Sequence, residues 1–299
     1  MVDREFDVAN EESNYVGEGM QHKYEPTLVV ISSEECLKIC EWCFRGRLFQ
    51  DKRLEKDKIA DPKEVVKYAK NHPELRSILF TGGDSFLADK ESLRYMISEI
   101  NKMDHIISIR FGTRAMVHQP ELYYEMKELI ELSTKVVYFI LHIIKPEEVS
   151  KELCEITSKG KYFFLAQSPL LKTLNADSKI LMEMYQKMSR CNINPYYMFH
   201  CRPVEGNQKF VTTFKEGYEI VEATKRTMSG INKRFRYSLS CDMGKLEVVG
   251  IEGDKAYLRF HQAKDPKNLG KIITTDANAI WLVDGEPMYL KDGKYIMEK

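Results

Sequence analysis

One pattern narrows the choice of fold more than any other: a short apolar strand followed by a polar-faced helix recurs six times along the chain. Strands are expected at Thr27–Ser32, Ser77–Thr81, Ile106–Phe111, Val136–His142, Tyr162–Gln167 and Asn194–His200. Helices are expected to start at Pro62, with Asp61 as cap, and at Lys90–Met103, Pro120–Leu132, Pro146–Ser158, Ala176–Cys191 and Tyr218–Met228. Strands that are apolar on both faces and alternate with helices predict a parallel sheet covered by helices. A closed eight-unit barrel takes about 250 residues. Six units predict an α/β fold closed only in part, a (βα)6 barrel over 23–233. Residues 1–22 show no periodicity and are expected to be an arm, disordered or laid across the barrel. From 234 to 299 the texture changes to β-strands separated by Glu-Gly-Asp and Asp-Gly turns, a small β-rich extension.

The most chemical stretch follows the first strand. Cys36, Cys40 and Cys43 stand at spacings of four and three residues with no fourth cysteine nearby. A closed zinc site needs four protein ligands, so three thiols suit a four-iron cluster with one iron left open for a reactant. The alternative is zinc, with His22 or a distant cysteine as fourth ligand. Other strand ends carry Gly82-Gly83-Asp84, Arg114, His142, Gln167 and His200-Cys201-Arg202, and strand ends are where parallel barrels place function. His142 and His200 also fit as hydrogen-bonded core histidines.

Lys+Arg and Asp+Glu are both 45, so no bulk charge points to nucleic acid or to acidic membranes. No run of about 18 apolar residues is present, and the start is acidic (Asp3, Glu5, Asp7, Glu11, Glu12), so a cytoplasmic protein is expected. Seven cysteines, with Cys154, Cys191, Cys201 and Cys241 scattered, do not read as a disulfide framework.

The cysteine spacing resembles that of the radical S-adenosylmethionine (SAM) enzymes, in which a 4Fe-4S cluster binds SAM and reductively cleaves it to a 5′-deoxyadenosyl radical. The resemblance implies metal ligation by Cys36, Cys40 and Cys43, Trp42 near the adenine, and Gly82, Gly83 and Asp84 around the methionyl ammonium. A narrower resemblance, to the lysine 2,3-aminomutase family, covers most of 22–250. It rests on His22-Lys23-Tyr24, Cys43-Phe44-Arg45-Gly46-Arg47, Thr81-Gly82-Gly83-Asp84, Gly112-Thr113-Arg114, Leu141-His142, Gln167-Ser168, Pro195-Tyr196-Tyr197 and Gly244-Lys245. It implies pyridoxal phosphate (PLP) carried by Lys245, with Lys23 where the family has a phosphate-binding arginine and Gln167 beside the pyridine ring. Arg114 and His142 are implied at the cofactor site, and Arg45 at the substrate carboxylate.

Two departures from the family accompany it. The glycine-rich run before the lysine shrinks to Ser240-Cys241-Asp242-Met243-Gly244, and a lysine replaces a bidentate arginine at position 23. A third concerns substrate. Lysine-specific members have an aspartate after the cysteine that ends strand six, and this chain has Arg202, which would repel a lysine ammonium if it faces the pocket. The other reading turns Arg202 to solvent or to Glu205. Asp242 and His200 are further substrate-contact candidates.

The expectation is a PLP-dependent amino acid 2,3-aminomutase with a non-lysine substrate. The alternative is a PLP-independent radical enzyme acting on another small molecule or on SAM itself; a third is an iron–sulfur protein for electron transfer or sensing. Expected partners are an amino acid and an electron donor such as a flavodoxin or ferredoxin, with no nucleic acid or membrane, and a homo-oligomer stays open.

Overall fold

The computed structural model describes residues 7–50, 53–159 and 161–297, so the first six residues of the expected arm lie outside the described residues. Its sheet has twelve strands in chain order: β1 (Tyr15–Gly17), β2 (Met20–Tyr24), β3 (Thr27–Ser33), β4 (Ser77–Gly82), β5 (Ser108–Thr113), β6 (Val136–Leu141), β7 (Phe163–Leu170), β8 (Ile193–His200), β9 (Arg236–Cys241), β10 (Gly244–Glu252), β11 (Lys255–Ala263) and β12 (Ile272–Asp276). From β3 to β9 every neighbouring pair is parallel. The fold is therefore α/β around a large, mostly parallel sheet.

Among the described residues seven α-helices accompany the strands: α1 (Pro62–Asn71), α2 (Lys90–Asn101), α3 (Ala115–His118), α4 (Leu122–Glu131), α5 (Lys151–Ser158), α6 (Ser178–Arg190) and α7 (Phe214–Arg226). Helix α1 shows why such segments form. Asp61 accepts from the Lys63 and Glu64 amides at 2.7 and 3.2 Å, Pro62 opens the helix, and Val65, Val66 and Ala69 bury one face. On the strands, Leu28, Val30, Ile78, Phe80, Ile109 and Phe111 are fully buried on one face of the sheet. Burial of each such side chain is worth about 1.5–3 kcal/mol. The alternate residues, among them Val29, Leu79, Thr81, Gly112 and Ile140, line a single cavity instead.

Three expectations change. The arm is not without regular structure: β1 and β2 pair antiparallel and β2 continues onto β3, so residues 20–24 are sheet and the expected boundary at 22 falls inside a strand. The parallel series does not stop at 233, because β9 pairs in parallel with β8; only from β10 onward does the sheet run as antiparallel hairpins. A separate three-stranded meander follows, β13 (Trp281–Val283), β14 (Glu286–Lys291) and β15 (Lys294–Met297). Finally, Cys154 of α5 and Cys191 just after α6 form a disulfide, brought together because β7 and β8 are adjacent strands. Among the described residues no helix is long and apolar enough to cross a membrane.

Candidate functional site

The cavity, of about 360 Å³, opens where the parallel strands end and is lined from β2 through β10. Cys36, Cys40 and Cys43 stand on its rim as free thiols in the loop after β3. The loop is held at its start by the turn after β4: the Gly83 amide donates to Ser33 O and the Asp84 amide to Glu35 O, both at 2.7 Å. This approach needs glycine. Gly82 has φ +119°, and a Cβ there would meet Ser33 O, while one on Gly83 would meet the Glu35 backbone. Asp84 is buried and its carboxylate accepts from the amides of Phe86 (3.0 Å), Arg114 (2.7 Å) and Ala115 (2.7 Å). The aspartate thus ties the β4 turn to the β5 turn with two backbone bonds and caps its own turn with the third.

Burial pushes the Cys36 thiol up to about 12, with Asp84 and the other two thiols adding to it, and burial pushes Cys40 up to about 11. Three such thiols, crowded with no lysine or arginine side chain bonded to them among the described residues, are a donor set that a cationic iron–sulfur cluster would satisfy. His22 is not their fourth partner. Its Nδ1 meets Tyr68 Oη at 2.8 Å and its Nε2 meets Glu25 O at 2.9 Å, on the α1 side of β2.

Beside the thiols, Trp42 donates from Nε1 to His142 Nε2 at 3.2 Å and stacks on that ring. Burial, then Arg114 and His118, hold His142 down at about 3, so it is a neutral acceptor. Arg114 lies 5.4 Å from the Trp42 ring, donates to His142 O at 3.1 Å and pairs with Glu148 at 2.7 Å. The expected cofactor residues Trp42, Arg114 and His142 therefore form one connected group.

Across the cavity, the tight β9–β10 turn sets Lys245 at the second position of β10, opposite Ser240. Its amine lies 4.3 Å from the Tyr197 ring centroid and 5.2 Å from that of Phe199, and among the described residues it makes no hydrogen bond or ion pair. Burial, with the charges of Arg110, Lys23 and Arg202, pushes it down to about 7. Gln167 lines the same cavity. Lys23 donates to Cys241 O and is pushed down to about 8, chiefly by burial.

Arg45 is buried; its Nη1 donates to Thr81 Oγ1 at 3.2 Å while its Nε is buried without a partner. Among the described residues it makes no direct ion pair, although its charge reaches Glu11. Arg202 faces the cavity over the Phe44 ring at 4.4 Å, turned neither to solvent nor to Glu205. Its partner is Glu11, at 3.1 Å, and Glu11 also meets Arg47 at 2.5 Å, which pairs with Asp57 at 2.6 Å. Against burial, which raises it, Arg47, Arg202 and Arg45 hold the Glu11 carboxyl well below the usual range.

Two expected substrate contacts are committed elsewhere. His200 is buried, with Nδ1 at 2.5 Å from Tyr237 Oη and Nε2 at 2.8 Å from Ile280 O, so no ring nitrogen is left for a ligand. Asp242 lies in the β9–β10 turn, outside the cavity lining, where its Oδ2 accepts from the Asp284 amide at 3.2 Å. Glu11, Arg47 and Asp57 were missed in the sequence. Arg47 stood inside a quoted stretch, but nothing in the aperiodic arm marked Glu11.

Comparison with known proteins bears on the family of the chain. Residues 30–166 match the radical SAM superfamily. The chain is 31% identical over 292 residues to an Aquifex aeolicus protein named "Putative L-lysine 2,3-aminomutase", covering 93% of this chain and 77% of that one. It is 26% identical over 231 residues to L-lysine 2,3-aminomutase of Clostridium subterminale, covering 75% of this chain and 54% of the relative. It is 28% identical over 214 residues to glutamate 2,3-aminomutase of Clostridioides difficile, covering 70% and 50%. The chain spans about half the length of these last two proteins.

Proposed function

We propose an amino acid 2,3-aminomutase activity for this chain, which belongs to the lysine 2,3-aminomutase family of the radical SAM superfamily. It is a radical SAM enzyme, and the family implies a 4Fe-4S cluster and SAM. We read the sheet as a partial (βα)6 barrel, since residues from β2 to β10 face one cavity. The observation that carries the PLP reading is Lys245: a buried, unpaired amine, pushed down to about 7, facing the same cavity as the three thiols. A neutral amine is the form that attaches to an aldehyde.

When bound, the cluster and SAM supply the radical that starts the 1,2-shift of the amino group, and PLP supplies the carrier for the migrating nitrogen. The residues of the chain do the positioning. Cys36, Cys40 and Cys43 would hold the cluster, and the turn at Gly82–Asp84 fixes the loop that carries them. Arg45, steadied by Thr81, binds the substrate carboxylate through donors that are otherwise unpartnered. Lys245 and Gln167 would hold PLP. Ile140, Pro169, Phe199 and Trp281 give the cavity an apolar wall that keeps water from a reactive intermediate. Exposed Leu37 and Ile39 flank the thiols and offer a face to a one-electron donor such as a flavodoxin or ferredoxin. An oxygen-sensitive centre suits a reducing, cytoplasmic setting.

The substrate is an amino acid with a neutral or acidic side chain. Among the described residues no carboxylate lining the cavity is free for an ammonium: Glu11 is held by two arginines and Asp84 by three amides. The test is anaerobic reconstitution with PLP and SAM, then a screen of neutral, acidic and basic amino acids for β-amino acid products. A neutral or acidic substrate supports the reading, and turnover of lysine alone sinks it. SAM cleavage with no PLP attached to Lys245 would favour the PLP-independent alternative.

A further inference from the structure

The phosphate end of PLP needs more than Lys23, whose amine already donates to Cys241 O and is pushed down to about 8, chiefly by burial. A second cation stands in the same interior. Arg110 sits on β5 in register with Leu79 of β4, which itself pairs with Val29 of β3, and in-register neighbours on parallel strands share a face. Val29 and Leu79 line the cavity, so Arg110 lies on the cavity side of the sheet, behind the lining residue Thr27, while Ile109 and Phe111 beside it are fully buried on the opposite face.

Its surroundings leave its charge unanswered. Nη2 donates to Thr27 Oγ1 at 3.2 Å, Nε is buried without a partner, and among the described residues Arg110 has no ion pair. Thr27 pairs across the β2–β3 hairpin with Tyr24, whose hydroxyl is also buried without a partner. Orphaned donors around an unpaired guanidinium are costly unless an anion completes them. Thr27 begins β3, so Thr27 and Tyr24 line the strand-start end of the cavity and Arg110 stands directly behind them. A planar guanidinium fork suits a phosphate dianion better than a single ammonium does.

We propose that Arg110, supported by Thr27 and Tyr24, is the residue that anchors the phosphate of the cofactor, supplying from β5 the guanidinium that Lys23 does not. The assignment rests on the PLP reading of Lys245. Arg110 is also the largest single charge that, after burial, lowers the Lys245 amine, so one residue would both hold the anion and favour the reactive form of the lysine.

The test compares PLP with pyridoxal, which has the same aldehyde and no phosphate. The reconstituted wild type, Arg110→Gln and Arg110→Lys are titrated with each, attachment is followed by absorbance, and borohydride reduction with peptide mapping locates it. In Arg110→Gln the affinity for PLP is expected to fall about 10- to 100-fold. Pyridoxal binding should change less than about twofold, so the preference for PLP collapses; Arg110→Lys should restore part of it. If Arg110→Gln keeps the wild-type preference, or weakens both aldehydes equally, the residue is structural and the proposal fails. If the wild type attaches neither aldehyde at Lys245, the PLP reading fails and Arg110 with it, a result distinct from labelling that ignores Arg110.

Discussion

Replacing Glu11 by glutamine keeps the side chain's shape and removes the one charge that joins Arg202 to Arg47. The side chains concerned are 9%, 13% and 4% exposed, so solvent does little to replace the lost partner. Breaking a buried pair costs about 3–5 kcal/mol because it strands a charge. Here the lower end applies, since Arg47 keeps Asp57 at 2.6 Å and Arg202 keeps Ser240 O at 3.2 Å. Anaerobic denaturant unfolding should therefore show Glu11→Gln about 3 kcal/mol less stable at pH 7. In a double-mutant cycle with Arg202→Gln the coupling should be about 1.5–3 kcal/mol.

The sign with pH follows from the depressed carboxyl. Its stabilisation is present above the unfolded value of about 4.3 and is lost as pH falls toward the folded one, so the difference from wild type should be flat from pH 8 to 5. A Glu11→Gln protein within about 0.5 kcal/mol of wild type would behave like a surface variant and refute the network. The same change frees one side of Arg202, so KM for an acidic amino acid should fall relative to a neutral one.

Other predictions concern the cluster, the lysine and the turn. Alanine at Cys36, Cys40 or Cys43 should abolish iron and sulfide incorporation, whereas Cys201→Ala should keep both at wild-type level by iron and sulfide assay. Attachment of PLP to Lys245 should rise with pH through a midpoint near 7, because the neutral amine reacts, instead of near the ordinary lysine value of about 10.4. Asp84→Ala removes the acceptor of three backbone amides and should cost about 2–4 kcal/mol of stability as well as weaken SAM binding, measured by calorimetry.

The parallel strands were readable because their apolar runs answer to burial against helices, a local property of sequence. The hairpin β1–β2 was not, because Gln21, His22 and Lys23 carry no strand pattern and become a strand only by pairing with the edge of β3. The cysteine loop and the Gly82–Asp84 turn were legible as chemistry, but Asp84's bonds to the β5 turn join residues 30 apart, which no spacing reveals. Arg110 did leave a signal: a lone cation between Ile109 and Phe111 must face the other side of its strand. His200 shows the opposite limit, since a strand-end histidine reads the same whether it meets a ligand or, as here, Tyr237 and the Ile280 carbonyl. The shortened run before Lys245 proves compatible with a tight hairpin that still delivers the amine to the cavity.

The central claim is that the radical centre and Lys245 serve one substrate in one cavity. Neutral and acidic amino acids deuterated at C3 can be incubated anaerobically with SAM, PLP and reductant, and deuterium measured in 5′-deoxyadenosine by mass spectrometry. The account predicts transfer from at least one of them in the wild type and none in Lys245→Ala, although that variant still cleaves SAM. Equal transfer in Lys245→Ala, or transfer from lysine alone, would contradict it.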